Sequence, residues 1–218
     1  MMLLLLTPRT SSAQAAPAPS SAEEAVRLAK KVQAHYESWR DLSAEFVQLY
    51  TRVATSRTIE KRGTLMLKRP GKFRWAYERP TKTLWVADGD SFWLYEPEEG
   101  QVIVDRDYDS DQLSTSVAFL FGKGSLQDSF TVRTLPRGSL GAPNDLGLLE
   151  LTPKIDRSYA RLVLAVAPDT GAVRETWLFT TSGDINRLIL RDVKMNQDLQ
   201  DRLFAFVPPK GIEVIEAK

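Results

Sequence analysis

The sequence contains no cysteine and a single histidine, His35. Without cysteine there are no disulfides, no thiol nucleophile, no Cys-type zinc site and no residue to carry an N-terminal lipid. One histidine argues against a His-based metal site and against a His-dependent catalytic triad. An excess of charge is missing too. The 29 basic and 28 acidic residues leave a formal net charge of +1, so there is no electrostatic footprint for nucleic acid. After the first few residues no apolar run approaches the length of a membrane span. Familiar catalytic and metal signatures also fail. Gly138-Ser139-Leu140-Gly141 does not spell the nucleophile-elbow motif. The acidic run 105–111 puts Ser110 and Ser116 where a calcium loop needs glycine and glutamate. Nothing in the chain argues for an enzyme, and no cofactor or metal is expected.

What the chain does have is aromatic residues set in short alternating runs. Residues 63–96 hold four such runs, separated only by turns rich in proline, glycine and aspartate. Leu65 and Leu67 share one face of the first run. Phe73, Trp75 and Tyr77 share one face of the second, with Lys72 and Arg74 opposite. Leu84 and Val86 oppose Trp85 in the third; Phe92 and Leu94 oppose Trp93 and Tyr95 in the fourth. Short runs joined by tight turns pair as an antiparallel meander. Its aromatic content exceeds what one sheet face needs, which predicts a sheet wrapped around something apolar. Phe73, Trp75, Leu84, Val86, Phe92 and Leu94 are the expected lining. The Lys72–Arg74 alternation resembles a nucleic-acid-binding strand, but neutral charge favours one core face and one solvent face.

The rest of the pattern is consistent with this. Ser21-Ala22-Glu23-Glu24 forms a capping box before Ala25, Leu28, Ala29, Val32, Tyr36 and Trp39, which predicts an amphipathic helix of about four turns. Residues 42–53, 58–68, 101–105, 130–135, 146–152, 159–167, 173–181 and 185–194 read as further strands, and 203–215 as a tail. Between them Leu113, Val117, Leu120 and Phe121 mark a second amphipathic helix, closed by Gly122. The expected architecture is mainly β with α: an unclosed antiparallel β-barrel of about eleven strands with a helical lid. Such a lid encloses an apolar space if it does not fill it. At the end of the second strand, Arg69 offers a five-donor fork that can bond the terminal carbonyls of a covering helix. On the residues alone, an ordinary turn arginine is the simpler reading.

At the N-terminus, apolar residues 1–6 and the small-x-small site Ala13-Gln14-Ala15 read as a shortened export signal. Residues 1–15 are expected to be a signal peptide whose true start lies upstream, 16–21 a flexible lead, and 22–218 a single domain.

Taken in order, several segments resemble the LolA-type outer-membrane lipoprotein carriers. They are Leu42-Ser43-Ala44-Glu45-Phe46-Val47-Gln48, Gly63-Thr64-Leu65-Met66-Leu67-Lys68-Arg69-Pro70 with Phe73-Arg74-Trp75, Leu84-Trp85-Val86-Ala87-Asp88-Gly89 with Trp93-Leu94-Tyr95, Leu151-Thr152-Pro153-Lys154, and residues 204–211. The resemblance implies a periplasmic shuttle whose lidded cavity holds lipoprotein acyl chains. It implies cargo received from an inner-membrane ABC lipoprotein exporter and handed to an outer-membrane lipoprotein receptor. It also implies a monomer that binds no nucleic acid. Arg69 matches the family's lid-contacting arginine, Phe73 an aromatic position near the cavity mouth, and Tyr36 a cavity-facing place on the first helix. The alternative is a periplasmic carrier or sensor of another lipid or hydrophobic ligand on the same half-barrel.

Overall fold

The structure, a computed structural model, describes residues 21–108 and 125–217. The expected signal segment 1–15 and the expected lid residues Leu113, Val117, Leu120 and Phe121 lie outside the described residues. In chain order the strands are β1 (Asp41–Arg52), β2 (Arg57–Lys68), β3 (Lys72–Arg79), β4 (Thr83–Ala87), β5 (Phe92–Glu96), β6 (Gln101–Asp105), β7 (Phe130–Leu135), β8 (Gly147–Pro153), β9 (Tyr159–Val166), β10 (Val173–Thr180), β11 (Ile185–Met195) and β12 (Glu213–Glu216). Helix α1 spans Ser21–Glu37, and a single turn, α2, spans Leu126–Ser129.

All twelve strands belong to one sheet, ordered β12-β6-β5-β4-β3-β2-β1-β11-β10-β9-β8-β7. Its ends, β7 and β12, do not pair, so the barrel is unclosed. The eleven strands expected from the pattern are all antiparallel to their neighbours. The twelfth comes from the segment read as a tail, and it joins β6 in parallel, with Val214 opposite Val102.

Each face of the sheet has its own cover. On the inner face lies α1, with Ala25, Leu28, Ala29, Val32 and Tyr36 buried at helical spacing. Fully burying Leu28 and Val32 contributes about 1.5–3 kcal/mol each, well beyond the tenths that separate helix propensities. The helix can lie this close because of Gly171 in the β9–β10 turn. A Cβ there would stand 2.3 Å from the Lys31 carbonyl oxygen, and its φ of +79° suits glycine alone. Gly63 serves β2 in the same way: beside the bulge between β2 and β3, a Cβ would fall 1.8 Å from the Ala76 carbonyl oxygen.

Two segments cover the outer face. At one side the β7–β8 connection lays Ala142 and Leu146 over Leu148, Val163, Ala165 and Trp177. At the other, the chain after β11 crosses β3–β5 as a 3₁₀ turn, Asp201–Phe204, that buries Phe204 completely. That crossing begins at buried Asp41, whose carboxylate accepts from the Gln197 and Leu199 amides at 2.8 and 3.3 Å. It continues with the Arg74 guanidinium donating to the Leu203 carbonyl, and with the Phe206 ring against Trp93 and Tyr95.

Lys68 and Lys72 stand opposite each other on β2 and β3. Asp201 bridges both ammonium groups, at 2.5 and 2.8 Å, and these bonds lower its pKa from 3.8 to about 2. A carboxyl group held below its ordinary pKa stabilises the folded state above that ordinary value. The stabilisation is lost as the pH falls through the folded-state value. Asp201→Asn should therefore lower the melting temperature slightly at pH 7, since solvent screens so exposed a carboxylate. The gap from wild type should narrow as the pH drops from about 4 towards 2. Thermal melts of both proteins across that range check this, and a gap independent of pH would contradict it.

Candidate functional site

The register defines the inner wall. Residues directly opposite in antiparallel strands point to the same face. Leu67, Phe73, Ala87 and Phe92 make one row across β2–β5, and Leu65, Trp75, Trp85 and Leu94 make the next. Tyr77 follows opposite Gly63, and Phe46 of β1 stands on the other side of the same glycine. With no side chain at position 63, the Phe46 ring reaches both Trp75 and Tyr77, each at 5.2 Å between centroids. The chain of rings runs on from Tyr77 to Trp85 at 6.2 Å, Trp85 to Phe92 at 6.3 Å and Phe92 to Phe73 at 5.9 Å. After β6, Tyr108 folds back over Phe73 and Phe92. Burial falls along this wall: Trp75 is 9% exposed, whereas Trp85 is 39% exposed.

Four of the six expected lining residues, Phe73, Trp75, Phe92 and Leu94, share this face. Leu84 and Val86 do not. Leu84 pairs with Ala76 and Tyr95, and Val86 pairs with Arg74 and Trp93, which sets both on the outer face under the C-terminal crossing. Their inner-face place belongs to Trp85. The pattern misassigned them because β4 is apolar on both sides, so alternation does not say which side is inward. Tyr108 was missed because it lies in an acidic run with no strand period.

Tyr36 is 2% exposed and lies beneath α1. Its hydroxyl accepts from the Val173 amide at 3.1 Å. Burial pushes its pKa up to about 12, with the Val173 bond opposing, so the phenol stays neutral. Arg69 stands in the β2–β3 turn beside the C-terminus of α1. Its two terminal nitrogens donate to the carbonyls of Tyr36 and Glu37, at 2.5 and 3.2 Å. These are among the carbonyls a helix end leaves without internal partners. The guanidinium also lies 4.7 Å from the Trp39 ring, and the Arg69 amide donates to the Arg40 carbonyl at 2.9 Å. Burial lowers the Arg69 pKa, the Glu37 carboxylate counters it, and a guanidinium so placed stays charged.

Among the described residues no three His, Cys, Asp or Glu side chains gather as metal ligands, and no helix is long and apolar enough to cross a membrane. The arrangement offers an aromatic wall, partly open at Trp85, and a covering helix whose C-terminal carbonyls are bonded by Arg69.

Known proteins resemble this chain in sequence or in fold. Residues 37–207 match the family described as Outer membrane lipoprotein carrier protein LolA. An outer-membrane lipoprotein carrier protein of Nitrosomonas europaea is 33% identical over 153 residues, 70% of this chain and 71% of its own length. Its counterpart in Nitrosospira multiformis is 33% identical over 181 residues, 82% and 84% of the two chains. Among solved structures, an uncharacterized conserved protein from Thermus thermophilus superimposes with a TM-score of 0.55 at 13% identity, covering 91% of this chain and all of that one. That likeness concerns the fold alone.

The packing under α1 yields a direct test. Tyr36→Phe keeps the ring but strips the Val173 amide of its buried acceptor, which costs about 1–3 kcal/mol. Chemical denaturation should show that loss with an unchanged slope.

Proposed function

The chain belongs to the LolA family of outer membrane lipoprotein carriers, and on that premise we propose that it carries lipoproteins through the periplasm by holding their acyl chains against its inner wall. Cargo arrives from an inner-membrane ABC lipoprotein exporter and leaves to an outer-membrane lipoprotein receptor. The observation that carries this reading is the ring system from Phe46 to Phe92, with Trp85 accessible at its edge. Phe73, Trp75, Phe92 and Leu94 contact the chains.

The work is binding rather than catalysis. Each methylene removed from water is worth about 0.8 kcal/mol. A carrier must match that burial and then give it up. Arg69 supplies the restoring force by drawing the end of α1 onto the β2–β3 turn. Acyl chains that enter beneath the helix displace this contact, and its return helps to expel them. Tyr36 sets the position of the helix over the wall.

Mass spectrometry of ligand retained by the natively purified protein tests the substrate class. Lipoproteins or their acylated N-terminal peptides are expected; retention of free lipid alone would instead favour the carrier or sensor of another hydrophobic ligand. A two-step transfer assay tests the arginine. Arg69→Leu should load from inner-membrane vesicles at close to the wild-type level yet release to the receptor about tenfold more slowly or worse, as the loss of a charge-assisted bond implies. Arg69→Lys should be milder, because charge survives while the planar fork is lost. Wild-type release by Arg69→Leu would reduce Arg69 to a turn residue.

A further inference from the structure

On its β3 side the β1–β2 hairpin runs past the end of its neighbour, while β1 stays paired with β11 as far as Thr51 opposite Ile185. β3 stops pairing at Arg79 opposite Arg62, so among the described residues, positions 57–61 of β2 pair with β1 alone. Two apolar side chains are exposed on this projection, Val53 at 51% and Ile59 at 44%. Around them, and in the β3–β4 turn, stand Arg52, Arg57, Lys61, Arg62, Arg79 and Lys82. The acids nearby are Glu45 and Glu78, which share a depression with Arg62, together with Glu60 and Asp184. Glu60 is taken up by Arg62. Asp184 accepts from the Tyr50 hydroxyl and the Val53 amide, holding the hairpin itself.

The pairing of these cations does not serve the fold. Arg52 stands directly opposite Arg57, and Arg62 directly opposite Arg79. Like charges opposite each other in a sheet are destabilising. At the other end of β2 the same problem, Lys68 opposite Lys72, is solved by Asp201 between them. At the projecting end, neither Arg57 nor Arg79 forms an ion pair among the described residues. Charged residues commonly protect exposed strand edges from aggregation, but that role does not call for Val53 and Ile59 beside them.

Cations surrounding exposed apolar side chains suit one kind of surface: an anionic leaflet, where the charges meet headgroups and the apolar tip enters the interface. We propose that this hairpin docks the protein, transiently, on membranes containing anionic phospholipid. Lys61 links the hairpin to the inner wall, its ammonium lying 5.2 Å from the Tyr77 ring. Docking by the tip therefore brings the aromatic wall to the lipid surface. The docking goes beyond cargo carriage and does not depend on it.

The test is flotation of the full chain with vesicles of phosphatidylcholine alone, or of phosphatidylcholine mixed with phosphatidylglycerol. Wild type should bind the mixed vesicles at low salt, lose them at high salt and ignore the neutral ones. Each cation near such a surface contributes about fivefold in affinity. Arg57→Glu with Arg79→Glu should thus weaken binding at least tenfold, yet melt no lower than wild type, since each change turns a repulsive pair into an attractive one. Val53→Ser with Ile59→Ser should also weaken binding while the salt dependence remains. Failure of wild type to bind the mixed vesicles overturns the proposal, as does equal binding by the charge-reversed protein. Retention on polyglutamate without vesicle binding also overturns it, and marks the tip as a site for an acidic protein. These vesicles contain no lipoprotein, so none of these results bears on the carrier function.

Discussion

A sheet that curls without closing has two apolar faces and two free ends, and everything else in this molecule answers to that. No single helix can cover both faces. The inner one takes α1, and the outer one takes two lengths of irregular chain: the β7–β8 connection and the crossing that follows β11. Irregular chain carries unpaired main-chain groups, so each cover is tied down by polar anchors. Asp41 accepts from two amides of the crossing, Arg74 and Lys68 donate to its carbonyls, and Arg69 does the same for the end of α1. The anchors come from the ends and turns of β1, β2 and β3, the strands that also build the aromatic wall.

The outer face shows how this protein handles charge it cannot leave in water. Glu150 and Glu175 are 4% and 7% exposed. Glu150 lies against Arg133 and Arg161, and Glu175 against Arg187. The two arginines nearest the small outer core also cover its rings, Arg161 over Phe179 and Arg187 over Trp177. Such pairs add little net stability, but removing one partner leaves a buried charge and costs about 3–5 kcal/mol. Every buried carboxylate here has its partner.

Much of the fold was legible because its elements are short and their ends are marked by glycine, proline and aspartate turns. The boundaries of β6 and β7 follow directly from the alternation. What alternation cannot supply is register, because that depends on which residues meet across a pair. Leu84, Trp85 and Val86 are all apolar, and only their pairing with Ala76, Trp75 and Arg74 shows that Trp85 is the inward one. β12 was invisible for a related reason. Its parallel pairing with β6 needs a long return of the chain, and Glu213, Val214, Ile215 and Glu216 are all exposed, so no burial pattern marks them. Arg69 could be named from the sequence, with helix-end carbonyls as its partners, but not which helix supplies them. They are main-chain carbonyls of α1, which no side-chain pattern encodes.

The magnitudes bear on whether a helix held this way can work as a cover that opens. Two charge-assisted bonds from Arg69, at about 1.5–3 kcal/mol each when sheltered, together match the burial of roughly four to eight methylenes at about 0.8 kcal/mol apiece. A lipoprotein acyl chain is longer than that, so its entry outweighs the loss of both bonds. In the proposed carrier, an acceptor that buries the same chain equally well would leave the return of Arg69 to Tyr36 and Glu37 as the difference that favours release. A directional bond to two carbonyls is either made or unmade, so Arg69 adds a fixed polar threshold at the end of a helix whose length is held by the buried apolar face of Ala25, Leu28, Ala29, Val32 and Tyr36.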